Sequence, residues 1–173
     1  TADASSDITA DSAKGSSHID GGSQTYAEAY GVEGTLDEGD FTNSKDGAIK
    51  ATATASSDVT ADVSGTSATL FDVDDVDAEA FALGVALDGG GDAIVNDGTI
   101  AAAASATSVF NGTATAGTGD ALIGGEDSGV VADAVSVGLY VGDDATSVSN
   151  TGSVTADAKA SGTLNADVDG AGN

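Results

Sequence analysis

Three acidic, glycine-bearing turns hold the residues of this sequence best suited to chemistry. They read Asp37-Glu38-Gly39-Asp40, Asp88-Gly-Gly-Gly-Asp92 and Gly142-Asp143-Asp144. Ca²⁺ takes several hard oxygen ligands from carboxylates and turn carbonyls. The candidate metal ligands are therefore Asp37, Glu38, Asp40, Asp88, Asp92, Asp143 and Asp144, with Ca²⁺ the one cofactor that the residue types suggest. The competing reading is that these are solvated turns that keep an acidic protein soluble.

Catalysis finds little to work with. His18 is the only histidine and sits in the polar run Gly15-Ser-Ser-His-Ile-Asp20. Ser and Asp beside it in sequence do not make a triad, which is defined by geometry. Aspartates are so abundant that any carboxylate pair arises by chance, and a polyanionic enzyme would repel an acidic polysaccharide. The chain reads as a non-enzyme. A polysaccharide-acting β-helix enzyme is the catalytic alternative.

The 173 residues include 29 Asp plus Glu against 4 Lys plus Arg, a formal charge of −25, with no Pro, Cys, Met or Trp. All four basic residues are lysines: Lys14, Lys45, Lys50 and Lys159. Phosphate binding needs clustered positive charge, so nucleic acid is excluded as a partner. An anionic membrane surface would repel the chain. No apolar run reaches the length of a membrane span, so no insertion is expected. Self-repulsion of this size would be relieved by divalent cations or salt. With no thiol there is no disulfide framework.

The acidic turns belong to a larger repeat. Gly-aliphatic pairs recur at Gly31-Val32, Gly84-Val85 and Gly138-Leu139, and a Gly-x-aliphatic triplet recurs at Gly47 to Ile49, Gly98 to Ile100 and Gly152 to Val154. The intervals are 53 and 54 residues for the first set and 51 and 54 for the second. Short alternating stretches lie upstream (Tyr26–Tyr30, Asp77–Phe81, Val131–Val135) and downstream (Ala51–Ala55, Ala101–Ser105, Thr155–Lys159). Alternation of small apolar with polar residues is the period-2 mark of a half-buried strand. Strands of five to eight residues are expected, separated by Gly, Asp and Asn turns. Ala2–Asp11 also matches Ala53–Asp62 at an offset of 51. The repeat copies run over about 1–50, 51–102 and 103–156, with a partial copy at 157–173, as a single domain 1–173 with no distinct caps.

Asn96-Asp-Gly-Thr-Ile100 and Asn150-Thr-Gly-Ser-Val154, each followed by small alternating residues, resemble the right-handed parallel β-helix repeats of bacterial autotransporter passengers and related adhesins. Ser44-Lys-Asp-Gly-Ala-Ile49 reads as a degenerate copy without the Asn. Gly89-Gly-Gly-Asp-Ala-Ile94 resembles part of the calcium β-roll repeat, without a tandem array. The resemblance implies a secreted or cell-surface location and a scaffold role. The high Asp content and few large aliphatics favour a thinner coil than such passengers have.

The expected fold is all-β, a parallel β-helix or solenoid of about three repeats of 51–54 residues. Each repeat would make two or three turns, giving a rod roughly 30 to 50 Å long. Ile49, Ile100 and Val154 would stack inside, and corner glycines would supply positive φ angles. Tyr26, Tyr30, Phe81 and Tyr140 read as gap-filling or ladder residues rather than a binding platform. The expected function is an extracellular structural subunit stacking head to tail with itself into a filament, matrix or surface layer. The alternative is a monomeric stalk or adhesive module of a larger surface protein. A cell-surface or matrix polysaccharide is a further candidate partner.

Overall fold

The structure, a computed structural model, describes residues 1–12, 22–36, 39–71, 75–88, 93–124, 129–142 and 147–170. The strands are β1 (Ala2–Ser12), β2 (Ser23–Thr35), β3 (Phe41–Asn43), β4 (Ala48–Gly65), β5 (Ala68–Phe71), β6 (Val76–Asp88), β7 (Ile94–Asn96), β8 (Thr99–Ala116), β9 (Ala121–Gly124), β10 (Val130–Val141), β11 (Val148–Asn150) and β12 (Ser153–Gly170), with no helix among the described residues. They form four sheets in which every pairing is parallel. A long sheet has the order β1-β4-β8-β12, and a facing sheet β10-β6-β2. A corner sheet has the order β11-β7-β3, and β5 pairs with β9 at the far end.

The pairing offset is the sequence repeat itself. Ala2 lies opposite Ala53, Ala53 opposite Ala104, and Ala104 opposite Ala158. Each repeat thus gives one strand to each sheet it reaches, not the two or three turns expected. With strands about 4.8 Å apart, the long sheet measures about 14 Å from first strand to last, well short of the expected rod. The strands are longer than expected instead: β4, β8 and β12 have 18 residues each. Their period-2 pattern runs on without a breaker, because no proline interrupts the ladder.

The core follows from that alternation. Ala51, Ala53 and Ala55 on β4 and Ala102, Ala104 and Ala106 on β8 are buried against Ala78, Ala80 and Ala82 on β6, with Ala27 and Ala29 of β2 beside them. Nothing larger than a methyl group separates the two sheets there. Bulkier side chains gather at the two ends of this alanine layer. Val59, Val63, Leu70, Val76 and Phe110 fill one end, and Val85, Leu87, Ile94 and Ile100 the other. Ile49 and Val154 sit directly opposite Ile100 in register, so the expected aliphatic ladder is present.

Glycine acts here through the side chain it lacks. Ala78, Ala80 and Ala82 point inward along β6, whereas past Gly84 it is Val85 and Leu87 that do so. A Cβ at Gly84 would lie 2.4 Å from the Gly138 carbonyl oxygen and 2.6 Å from Ile100 Cγ2. Gly31 has the same relation to the Gly84 carbonyl and to Ile49, and Gly138 to Val154. The two sequence signatures are therefore partners, each repeated glycine making room for the aliphatic residue that follows the next turn. Among the described glycines only Gly39, outside these ladders, has a positive φ, so the expectation of positive φ at the repeated positions does not hold.

Gly84→Ala must displace backbone, and we expect a loss of about 1–3 kcal/mol in a urea titration. Gly34→Ala meets open space and should stay within about 0.5 kcal/mol of the parent.

Candidate functional site

Asparagines hold the corner between the corner sheet and the long sheet. Asn43 Nδ2 donates to Asn96 Oδ1 at 2.7 Å, and Asn96 Nδ2 donates to Asn150 Oδ1 at 2.7 Å. The same NH₂ groups also donate to main-chain carbonyls, Asn43 to Thr99 O at 3.3 Å and Asn96 to Ser153 O at 3.4 Å. Carbonyls only accept, so this second bond fixes which side-chain atom is nitrogen. The amide ladder runs in one direction and ends with Asn150, which is exposed.

Asn43 occupies the position that the sequence repeat seemed to lack. It pairs in register with Asn96, and the first copy carries two additional residues in the Ser44–Gly47 turn. That insertion explains why the facing and corner sheets pair at an offset of 53 where the long sheet pairs at 51. Counting back 53 residues from Asn96 would have found it.

The strand at the last repeat is exposed on both faces. Among the described residues β12 pairs only with β8, and its residues are exposed from Thr155 to Gly170. Leu164 is opposite Phe110 and Val168 opposite Ala114. The β8 residues are buried, whereas Leu164 is 61% and Val168 48% exposed. Val148 on β11 stands opposite the buried Ile94 and is likewise exposed. These positions thus match buried residues of the preceding repeat in register and yet remain exposed.

Of the candidate metal ligands, the structure places Asp40 and Asp88, both exposed. Asp88 closes β6 and its carbonyl accepts the Leu36 N–H at 2.8 Å. Asp37, Glu38, Asp92, Asp143 and Asp144 lie outside the described residues, as does His18. Among the described residues no three His, Cys, Asp or Glu side chains come together as a metal site.

The aromatic residues correct an expectation. Tyr26, Tyr30 and Tyr140 are 57%, 39% and 54% exposed on the outer face of the facing sheet, not buried as gap-fillers. The alanine layer between the sheets leaves no room for rings, and the one buried ring, Phe110, sits in the cluster at its end. Tyr30 and Phe81 rings meet at 6.1 Å and 56°. The Tyr30 hydroxyl donates to Glu28 Oε1, and this bond above all pushes its pKa up to about 12. On the same face, burial and the nearby Asp133 and Asp75 raise the Asp77 carboxyl above its ordinary value.

Compared with known protein families, characterised proteins and solved structures, the chain matches none.

Asn96→Ala leaves the Asn43 amide short of an acceptor in a buried corner, at an expected cost of about 1–3 kcal/mol by urea titration. Asn165→Ala, which breaks the exposed Asn165–Asn111 pair, should change stability by less than about 0.5 kcal/mol. The folded chain holds the Asp77 proton more tightly than the unfolded chain does. Its contribution to stability is therefore present in acid and is lost as pH rises from the ordinary carboxylate range through the raised value. Asp77→Asn should remove that dependence and raise the denaturation midpoint at neutral pH, with little change in acid.

Proposed function

We propose that the chain is an extracellular structural β-solenoid, one coil per repeat, that stacks end to end with copies of itself into a filament, matrix or surface layer. The observation that carries this reading is the exposed inward face of β12, whose counterparts on β8 are buried. An open parallel edge with an apolar inner row is a template for another strand.

The internal register suggests which strand fits. β1 pairs with β4 as if one repeat preceded the other, Ala2 on Ala53 and Asp3 on Thr54. Continuing those columns through β8 to β12 leads from Ala53 to Ala158 and from Thr54 to Lys159. A second copy placed one repeat beyond β12 would therefore set Ala2 on Ala158 and Asp3 beside Lys159. Asp7 would fall beside Thr163, the end of the Asp58 column. Lys159 is the only basic residue of β12, and this register gives it a carboxylate. A further repeat of the same chain would cover the face equally well, which is the stalk-module reading. Calcium bound at the acidic turns would lower repulsion between copies.

Electron microscopy of the purified chain, with millimolar calcium and with chelator, tests both parts. Filaments that dissolve in chelator support stacking with a calcium contribution; filaments in both conditions support stacking alone. A monomer in both conditions at high concentration overturns the assembly. Lys159→Glu should suppress filaments, and adding Asp3→Lys should restore them. Leu164→Lys with Val168→Lys should abolish them, because an inward charge on an edge strand blocks pairing.

A further inference from the structure

The outer face of the facing sheet gathers rings and carboxylates and, among the described residues, carries no base. All three tyrosines of the chain are on it, Tyr26 and Tyr30 on β2 and Tyr140 on β10. Ahead of the glycine ladder, the outward positions of β2, β6 and β10 place Glu28, Phe81 and Val135 in one row and Tyr30, Leu83 and Val137 in the next. The adjoining row holds Tyr26, Glu79 and Asp133. Past the glycines, Glu33, Ala86 and Tyr140 share a row. A groove of about 570 Å³ runs between Tyr30 and Tyr140, with Leu83 and Ala86 in its floor and Glu33 and Asp88 on its walls. Asp77 Oδ1, on the same face, is buried and has no hydrogen-bond partner among the described residues.

Exposed rings are costly to leave in water, and none of these tyrosines is needed to fill the alanine core. Their arrangement suits a ligand with repeating apolar faces. Tyr26 and Tyr30 are four residues apart on one strand, about 13 Å, and Tyr140 lies farther along the sheet. That is the layout of a linear track. The carboxylates beside the rings accept hydrogen bonds and attract positive charge, and the π-face of tyrosine attracts cations too. The lysines with described positions are elsewhere: Lys45 in the turn before β4, Lys50 on β4 and Lys159 on β12. An anionic ligand would meet only repulsion.

We propose that this face binds a linear polysaccharide carrying amino groups. Each sugar ring would present C–H groups to a tyrosine, and its ammonium and hydroxyl groups would donate to Glu33, Glu79 and their neighbours. The proposal does not depend on end-to-end stacking, because the face lies at the side of the sheets and stays accessible whether or not copies assemble.

The chain has three tyrosines and no tryptophan, so its intrinsic ultraviolet emission reports on this face alone. The probe is a hexamer of β-1,4-linked glucosamine, titrated in mildly acidic buffer where side-chain carboxylates remain largely ionised and the sugar amines are protonated. The expected result is a saturable change in tyrosine emission, with a matching heat of binding. Tyr30→Ala with Tyr140→Ala should weaken calorimetric binding about tenfold, with circular dichroism unchanged. Glu33→Gln, at an exposed position, should weaken it while leaving the tyrosines to report. The result that overturns the proposal is absence of binding, or equal affinity for the fully N-acetylated hexamer or a glucose hexamer. Equal affinity for a lysine hexapeptide, with no loss in the tyrosine double variant, would reduce the face to unspecific acidic attraction and overturn it as well.

Discussion

Parallel pairing at an offset of one repeat means that each residue stacks on its own counterparts. This constraint governs the rest of the molecule. Like-on-like stacking rewards alanine, aliphatic and amide side chains, which form ladders of methyl contacts or hydrogen bonds. It penalises like charges directly opposite each other. A chain of −25 must therefore arrange its acids with care. β8, between β4 and β12, has no charged residue in its 18. Asp62 and Asp167 stand in one column separated by Thr113, and Asp58 faces Val109. The neutral β8 thus keeps the aspartates of β4 apart from those of β12. The rule lapses between β1 and β4, where Asp7 meets Asp58 and Asp11 meets Asp62, and on the face with the tyrosine track, where Glu79 stands beside Asp133.

The second consequence concerns thickness. A layer of alanine methyl groups gives little burial per residue, since the hydrophobic gain scales with the apolar area removed from water. The molecule compensates by length: the alanine rows extend along 18-residue strands and end in aliphatic clusters on both sides. Close approach of the sheets then requires glycine where an isoleucine must cross over. Gly31, Gly84 and Gly138 meet that need, and they also switch which side of the strand faces inward. Packing and topology are thus set by one residue type at one position of each repeat.

Much of this was legible in the sequence. The match of Ala2–Asp11 to Ala53–Asp62 at an offset of 51 is the observed register of β1 on β4, and the all-β parallel character follows from the alternation and the repeat. Turn counts were not legible, because a repeat of about fifty residues divides equally well into one long coil or several short ones. What decides is that alternation continues from Ala51 through Val63 without a turn residue strong enough to end the strand. By sequence Tyr26–Tyr30 aligns with Asp77–Phe81, but in the structure Tyr26 pairs with Glu79. A slip of two leaves every side chain on its original face, so nothing in the hydrophobic pattern reveals it. The tyrosines lie outside for another reason: large rings usually indicate core, and the alanine layer flanked by their strands is too thin to hold them, whereas Phe110 is buried at its end. Asn43 was hidden by an insertion of two residues in a turn, where a corner absorbs length without disturbing the ladders on either side.

Directionality is the last property to follow from the ladders. Each asparagine amide donates toward the next repeat, so the two ends of the amide row differ chemically. Asn43 is buried, with its Oδ1 close against Gly47, whereas Asn150 is exposed and accepts the last bond of the row from Asn96. The long sheet is polar in the same sense, with partly buried Ala2 and Ala4 on β1 at one edge and the uncovered Leu164 and Val168 at the other. A contact between the β12 edge of one copy and the β1 edge of another joins unlike surfaces and is therefore head to tail, not two-fold. A head-to-tail contact along this axis that continued the internal register would not close into a ring but would repeat. The tyrosine track lies across the rows of that axis, so it would recur once in every copy along the fibre. A polymer of sites facing a polymer of sugars gains avidity without any single site being strong.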